Sequence, residues 1–434
     1  MDRLGRKILL VSTGDINGAY EAIYRLARFF KEEGNEVAML VKHKTQIDDF
    51  VIQYQPLYNS KNKKTLLKRL FFKIKNRLLS ISKSQVNFDP NYYFISLDET
   101  TVNVSVDQII KQVGFIPDYV YSGMTNDFMN STDLLNIQQT TKAKIYNIAV
   151  DMNHFTGGCH FAWDCKGYIN GCNTNCPAII GENGKELAQI NFDTKLRNSK
   201  LGNFNIIGMS GWTVEQARES KIYNNQVEIL NVNSLIDTNI LHNKNRVYAK
   251  DIFNLNNNKF YILMGCQYAN DKRKGFKYLL EALQILEKNI TSEQKNRIEV
   301  LIVSRMVTQS YNDIPFQKRH IDFIKDYRLL TLLYQATDVF VNSSIEDSGP
   351  MMVSEALACG TPVVGFDMGV VNNMVINGYN GYKAELKNSN DLALGIKIIL
   401  ELSKEDYQQY SYNSVKQVEE FSSFNALKKI KFHN

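Results

Sequence analysis

Short apolar runs, each giving way to a helical pattern, constrain this chain more than any other feature, and the series occurs twice. "KILLVST" (7–13), "EVAMLV" (36–41), "DYVYSG" (118–123), "KIYNIAV" (144–150), "FNIIGMS" (204–210) and "VEILNV" (227–232) form the first series. Strands apolar at nearly every position are buried on both faces, as in a parallel sheet covered by helices. Between the first two runs, "AYEAIYRLARFFKEEG" sets Ala22, Ile23, Leu26, Ala27 and Phe30 on one helical face and stops at Gly34. The series restarts with "FYILMG" (260–265), "RIEVLIVS" (297–304), "DVFVNSS" (338–344) and "TPVVGF" (361–366), interleaved with helical patterns. A chain of 434 residues also exceeds what one core supports. The expectation is an α/β protein with two Rossmann-like, doubly wound domains facing a cleft. The first domain covers 1–237, a polar, Asn-rich linker 238–257, and the second domain 258–415. A terminal helix over 416–434 is expected to pack back on the first domain.

No window reaches the 18 or so apolar residues of a spanning helix. The opening "MDRLGRKILLVSTGD" turns polar too soon for a signal peptide and reads as a first strand, which implies a cytosolic protein with reduced thiols. The net charge of +6 is local: residues 59–85 hold nine Lys or Arg and no acid, leaving the rest at −3. Within that segment Leu66, Leu70, Ile74 and Leu78 recur every four residues, flanked by Leu67 and Phe71. The pattern suits a helix lying on an anionic membrane surface. A plain solvated helix fits the same spacing. A nucleic-acid arm does as well, but no RNA or DNA motif accompanies it, so nucleic acid is not among the expected partners.

Two stretches carry chemistry. "SSIEDSGPMMVSEALACGTPVVGF" (343–366) leaves a strand, opens a helix and enters another strand, with Asp347 and Glu355 separated by seven residues. A helix starting directly after a strand presents uncapped amides and a positive dipole end to an anion. Gly349 lets the backbone approach a ligand, Pro350 suits a first helical position, and Met351 and Met352 add amides. A carboxylate such as Glu355 can accept from the vicinal hydroxyls of a ribose. The bland reading makes both acids caps and surface groups. "GCQYANDKRKGF" (265–276) makes a second strand-to-helix passage, and Arg273 and Lys274 before Gly275 suit a diphosphate. A solvated basic turn is its bland reading.

These stretches, with "VVNNMVINGYNGY" after the first, resemble the donor-binding signature of family-4 glycosyltransferases, retaining enzymes of the GT-B fold. The family's E-x7-E pair appears here as Asp347 and Glu355, with Glu346 one residue out of register. "RKGFKYLLEAL" resembles the family's Arg/Lys-Gly diphosphate motif. The resemblance implies catalytic roles for Asp347, Arg273, Lys274 and His160. It also implies donor contacts from Gly18, Glu355, Gly349, Pro350, Met351 and Met352. Gly18 lies in "STGDINGAYEAIYRLARFF", which is similar to the family's N-terminal Gly loop. "MSGWTVEQARES" and "VNSLIDTNIL" match further family stretches. "DMNHFTGGCHFAWDCKGYINGCNTNCPAII" (151–180) resembles a "TGGCH" subgroup. Where members often carry a His just before this Asp, the chain has Val150, while His154 and His160 stand nearby.

Cys159, Cys165, Cys172 and Cys176 fall within 18 residues at spacings x5, x6 and x3. A structural zinc, packed free thiols and a redox disulfide all fit that spacing. Cys266 and Cys359 read as packing residues.

The resulting expectation is a retaining transferase. It would move a hexose-type sugar from a UDP- or GDP-sugar to a lipid-linked or growing saccharide. The setting would be capsule, O-antigen or exopolysaccharide biosynthesis at the inner face of the cytoplasmic membrane. No cofactor is expected for catalysis. A sugar-nucleotide epimerase of the same fold and a non-catalytic paralogue are the rivals. A nicotinamide-dependent dehydrogenase is disfavoured, because no G-x-G-x-x-G follows the first strand.

Overall fold

A computed structural model describes residues 5–56, 86–95, 98–224, 228–266, 268, 270–430 and 432. The basic segment 59–85 lies outside the described residues. The strands in chain order are β1 (Lys7–Gly14), β2 (Glu36–His43), β3 (Val51–Gln53), β4 (Asn87–Phe88), β5 (Tyr119–Ser122), β6 (Lys144–Ala149), β7 (Ile179–Ile180), β8 (Asn205–Gly208) and β9 (Ile229–Asn231). They continue with β10 (Phe260–Gly265), β11 (Ile298–Ser304), β12 (Gln317–Asp322), β13 (Val339–Asn342), β14 (Val363–Phe366) and β15 (Gly381–Ala384). One compact unit comprises 1–207 with 215–229, and a second comprises 208–214 with 230–434.

The first unit is built on a seven-stranded sheet in the order β3-β2-β1-β5-β6-β8-β9. Four pairings, β1 with β2 and β5, β2 with β3 and β5 with β6, run parallel. The second unit has a six-stranded sheet in the order β12-β11-β10-β13-β14-β15, parallel at every recorded pair. Burial follows the apolar runs: every residue of β11, β13 and β14 is buried. Strand order reverses between β1 and β5 and again between β10 and β13. Ligands of open α/β sheets bind at such reversals, beyond the carboxyl ends of the strands. Each unit is thus an open, doubly wound α/β sheet.

Three departures from the sequence reading have local causes. The polar edge strand β12 went unread, because its charges face water at a sheet edge; Arg319 pairs with Glu299 at 3.1 Å. The expected linker contains a helix, Arg246–Ile252, that belongs to the second unit. Its Arg246 guanidinium donates to the Gly360 carbonyl at 3.1 Å, the Thr361 hydroxyl at 3.0 Å and the Tyr407 hydroxyl at 2.7 Å, anchoring the segment. The terminal residues also belong to the second unit, where the helix Lys404–Phe421 packs on the helices Met351–Ala358 and Val370–Met374.

Candidate functional site

In the second unit, both sequence stretches sit at the strand reversal, because they follow the adjacent strands β10 and β13. The turn after β10 is a short helix, Lys272–Lys274, capped by Asp271, which accepts from the Arg273 amide at 3.1 Å and from its guanidinium at 2.5 Å. The loop after β13 binds this turn edge to edge. The Ile345 amide donates to the Arg273 carbonyl at 2.7 Å, and the Ser343 hydroxyl donates to the Lys274 carbonyl at 2.8 Å. Gly275 ends the turn at φ +61°, and a Cβ there would stand 2.0 Å from the Ser343 carbonyl oxygen. Only glycine permits this approach.

Across the seam, the Lys274 ammonium pairs with the Asp347 carboxylate, which also accepts from the Gly349 amide at 3.2 Å. Burial pushes the Asp347 carboxyl up, but Lys274, Arg273 and the Gly349 amide outweigh it and hold the group below its usual value. Gly369 closes the loop from the other side: at φ +56°, its Cβ would lie 2.4 Å from the Asp347 carbonyl oxygen. The helix Met351–Ala358 follows with no side chain capping its first turn, and Pro350 is its N-cap rather than its first helical residue. Met352 lies over the end of β10, where a Cβ on Gly265 would meet its Cε at 2.2 Å. Glu355, 3% exposed, accepts from the Tyr334 hydroxyl at 3.0 Å.

The structure therefore brings Arg273, Lys274, Asp347, Gly349, Met351 and Met352 to one strand-end seam, with each cation paired to a carboxylate, Arg273 to Asp271 and Lys274 to Asp347, beside an uncapped helix start. Such a seam can hold a diphosphate on its cations and accept from hydroxyls with its carboxylate. Sequence reading missed Asp271, Ser343 and Tyr334, which hold these groups in place. Asp271 is visible in retrospect as an Asx cap two residues before Arg273. A surface concavity of about 610 Å³ beside 281–288 and 385–390 includes none of these residues and is rimmed by charged and polar side chains.

In the first unit, Gly18 is exposed at the second position of the helix Asn17–Glu32 rather than in a loop. The preceding turn is fixed by Asp15, 1% exposed, which accepts from the Thr45 and Gln46 amides, each at 2.6 Å. Nothing in the sequence pointed to it. His160 is 3% exposed: its Nδ1 lies 2.7 Å from Asp151 Oδ2 and its Nε2 2.8 Å from Asn126 Nδ2. Nε2 also lies 3.3 Å from the Ile95 carbonyl oxygen, so the ring is held by a carboxylate at Nδ1 and by an amide and a carbonyl at Nε2. Asp151 and His160 form a buried pair that closes the start of the Cys-rich segment.

His154 lies beside this pair, with Nε2 2.9 Å from the Gly123 carbonyl oxygen. Burial pushes its pKa down to about 4. A group with a depressed folded value stabilises the fold above the unfolded value of about 6.5, and that contribution disappears as pH falls through 4. The expected cost is about 2–3 kcal/mol across this window. Melting midpoints at pH 7.5 and pH 5 check it: His154→Gln should narrow the difference between them, and an unchanged gap would count against the assignment.

Residues 249–417 match the family described as glycosyl transferases group 1. Over 206 residues the chain is 24% identical to an uncharacterized glycosyltransferase of Haemophilus influenzae, covering 45% of this chain and 53% of that protein. Over 95 residues it is 34% identical to N,N'-diacetylbacillosaminyl-diphospho-undecaprenol alpha-1,3-N-acetylgalactosaminyltransferase of Campylobacter jejuni, covering 20% of this chain and 25% of that one. The chain thus spans about half the length of the first relative and a quarter of the second. Sucrose-phosphate synthase from Thermosynechococcus elongatus superposes with a TM-score of 0.63 at 16% identity, over 97% of this chain and 96% of that one. Anabaena Alr3699/HepE in complex with UDP and glucose superposes with a TM-score of 0.60 at 14% identity, over 98% and 97%. Among the described residues no helix is long and apolar enough to cross a membrane. Residues 249–417, most of the second unit, thus resemble a glycosyl transferases group 1 domain, and the chain has the α/β GT-B architecture of the solved structures.

Proposed function

We propose that the chain is a retaining glycosyltransferase that moves a hexose-type sugar from a UDP- or GDP-sugar to a lipid-linked or growing saccharide acceptor. The observation that carries this reading is the seam in which Lys274 is paired with Asp347 beside an uncapped helix start. The donor diphosphate lies on Arg273, Lys274 and the amides of Met351 and Met352. Charge builds on the leaving diphosphate in the transition state, so preorganised cations and amides there lower the barrier. Asp347 and the Gly349 amide hold the donor sugar, and Glu355, steadied by Tyr334, holds the ribose hydroxyls. With the sugar held on its anomeric face, the acceptor replaces the leaving group from the same side, which gives retention.

The acceptor side falls to the first unit. Gly18 opens the backbone at the helix start, and the Asp151–His160 pair positions the segment 151–160. The Campylobacter relative, whose name carries an undecaprenol-linked acceptor, supports a lipid-linked substrate for this chain, as does the basic pattern of 59–85. A polysaccharide-building enzyme on the inner face of the cytoplasmic membrane is the setting that combines the two. The Anabaena neighbour, solved with UDP and glucose, supports a uridine nucleotide donor.

Thermal melting with UDP-, GDP-, ADP- and CDP-sugars tests the donor site, since a ligand binding only the native state raises the midpoint. A rise with one nucleotide class, lost in Glu355→Ala, is expected. No rise with any of the four overturns the reading.

A further inference from the structure

The peptide group joining Ser348 to Gly349 is held at both ends. Its N–H, from Gly349, donates to Asp347 Oδ1 at 3.2 Å, while Asp347 Oδ2 is paired with Lys274. Its carbonyl, from Ser348, accepts from the Ser210 hydroxyl. Residues 208–214 belong to the second unit, so this bond is internal to it. In a planar trans peptide the carbonyl and the N–H point in opposite directions. Whatever holds the Ser348 carbonyl therefore also aims the Gly349 N–H.

The Ser210 proton is committed to that carbonyl. Ser210 immediately precedes the helix Gly211–Glu219, and its hydroxyl oxygen accepts from the Thr213 amide at 3.3 Å. Thr213 reciprocates: its hydroxyl accepts from the Ser210 amide at 3.2 Å and donates to the Ser210 carbonyl at 2.9 Å. A serine hydroxyl has a single proton to give. The Ser348 carbonyl is nearer to it than the Thr213 hydroxyl oxygen at 3.4 Å. Ser210, Thr213 and Ser348 are all buried, where a carbonyl left without its donor is costly. Packing confines the same peptide. A Cβ on Gly369 would lie 3.1 Å from the Ser348 carbonyl carbon and oxygen, and one on Gly349 would lie 3.4 Å from Ser234 Oγ. These contacts limit where the peptide can go, and the hydroxyl decides which way it faces.

We propose, resting on the donor-site reading above, that Ser210 is a positioning residue for Asp347. By holding the Ser348 carbonyl it keeps the Gly349 N–H on Asp347 Oδ1, so both carboxylate oxygens are fixed before the donor binds. A carboxylate has about four lone-pair sites, so those not used by Lys274 and Gly349 are left, already aimed, for sugar hydroxyls. Such aiming acts on the transition state more than on ground-state binding, which the diphosphate and ribose contacts supply.

Ser210→Ala should lower kcat by about 10- to 100-fold while KM for the sugar nucleotide changes by less than about twofold. Hydrogen exchange at the Gly349 amide, followed by NMR without ligand, should quicken by about tenfold or more in the same variant. Thr213→Val removes the other half of the helix cap and leaves the bond from Ser210 to Ser348. It should lower the melting midpoint yet keep wild-type kcat and wild-type exchange at Gly349. Should Ser210→Ala fail to fold, Ser210→Gly takes its place, because glycine is tolerated at N-caps and has no hydroxyl. A kcat within about twofold of wild type in either Ser210 variant overturns the proposal. So does an equal loss of kcat in Thr213→Val, which would make Ser210 a helix cap and nothing more. Failure of the donor site itself looks different: no sugar nucleotide raises the wild-type midpoint, and the role of Ser210 is then overturned along with that of Asp347.

Discussion

Lys274→Ala should lower kcat/KM for the sugar nucleotide by about 100- to 1,000-fold, the range seen when a preorganised charge-stabilising group is removed. Two losses combine. The diphosphate loses a cation, and Asp347 loses the partner that outweighs its burial. The folded Asp347 carboxyl lies below its unfolded value, so it stabilises the fold above that value and the contribution fades as pH falls through the folded one. Without Lys274 that contribution shrinks. With the lysine side chain 26% exposed and the aspartate 9%, the expected stability cost is about 1–3 kcal/mol. The double variant Lys274→Ala with Asp347→Asn should recover stability but not kcat/KM, because it relieves the buried charge and leaves the diphosphate without its cation. Denaturant curves and donor-release rates separate the two effects. A folded Lys274→Ala enzyme with more than a third of wild-type kcat/KM would refute the assignment.

Gly275→Ala should cost about 3 kcal/mol or more and lower the melting midpoint by roughly 6–12 °C. The left-handed backbone at φ +61° contributes about 1 kcal/mol, and the Cβ placed 2.0 Å from the Ser343 carbonyl contributes the rest. Gly378→Ala is the control: its φ is +75° with nothing within 4 Å of the added carbon, so it should show the backbone cost alone. Because the clash parts the Lys272–Lys274 turn from the 343–350 loop, donor binding should fall with stability in Gly275→Ala and stay intact in Gly378→Ala. Equal costs at the two glycines would show that the seam yields without strain.

Legibility in the sequence depended on how local each signal was. Strands such as β11 and β14 were readable because burial on both faces leaves unbroken apolar runs. Arg273, Lys274, Asp347 and Glu355 were readable because charged residues at a strand-to-helix passage are conspicuous within a dozen residues. Asp15 was not: it works through amides 30 residues away, and no pattern marks it. Tyr334 reads as one more apolar residue of its helix until its hydroxyl is seen on Glu355. Arg246 was taken for linker because its acceptors come from residues more than 90 positions downstream. The strand β12 has the composition of a surface loop, and only its neighbour β11 makes it a strand. Local chemistry marks the charged strand-to-helix passages. The residues that brace the site are chosen by tertiary contact and carry no local signature.

The chain's path between the units has a practical consequence for exchanging sugar specificities. A cut at residue 230 looks natural, because the six-stranded sheet and the whole family match lie beyond it. Yet residues 208–214 belong to the same unit, where the Ser210 hydroxyl donates to the Ser348 carbonyl and the Gly211 amide to Asn373 Oδ1 at 2.9 Å. A chimera joined at 230 would therefore pair a foreign 208–214 segment with the loop that carries Asp347. Swaps that transplant 208–214 together with 230–434 keep that loop in its own setting, and those are the junctions from which altered donor preference should emerge in a folded protein.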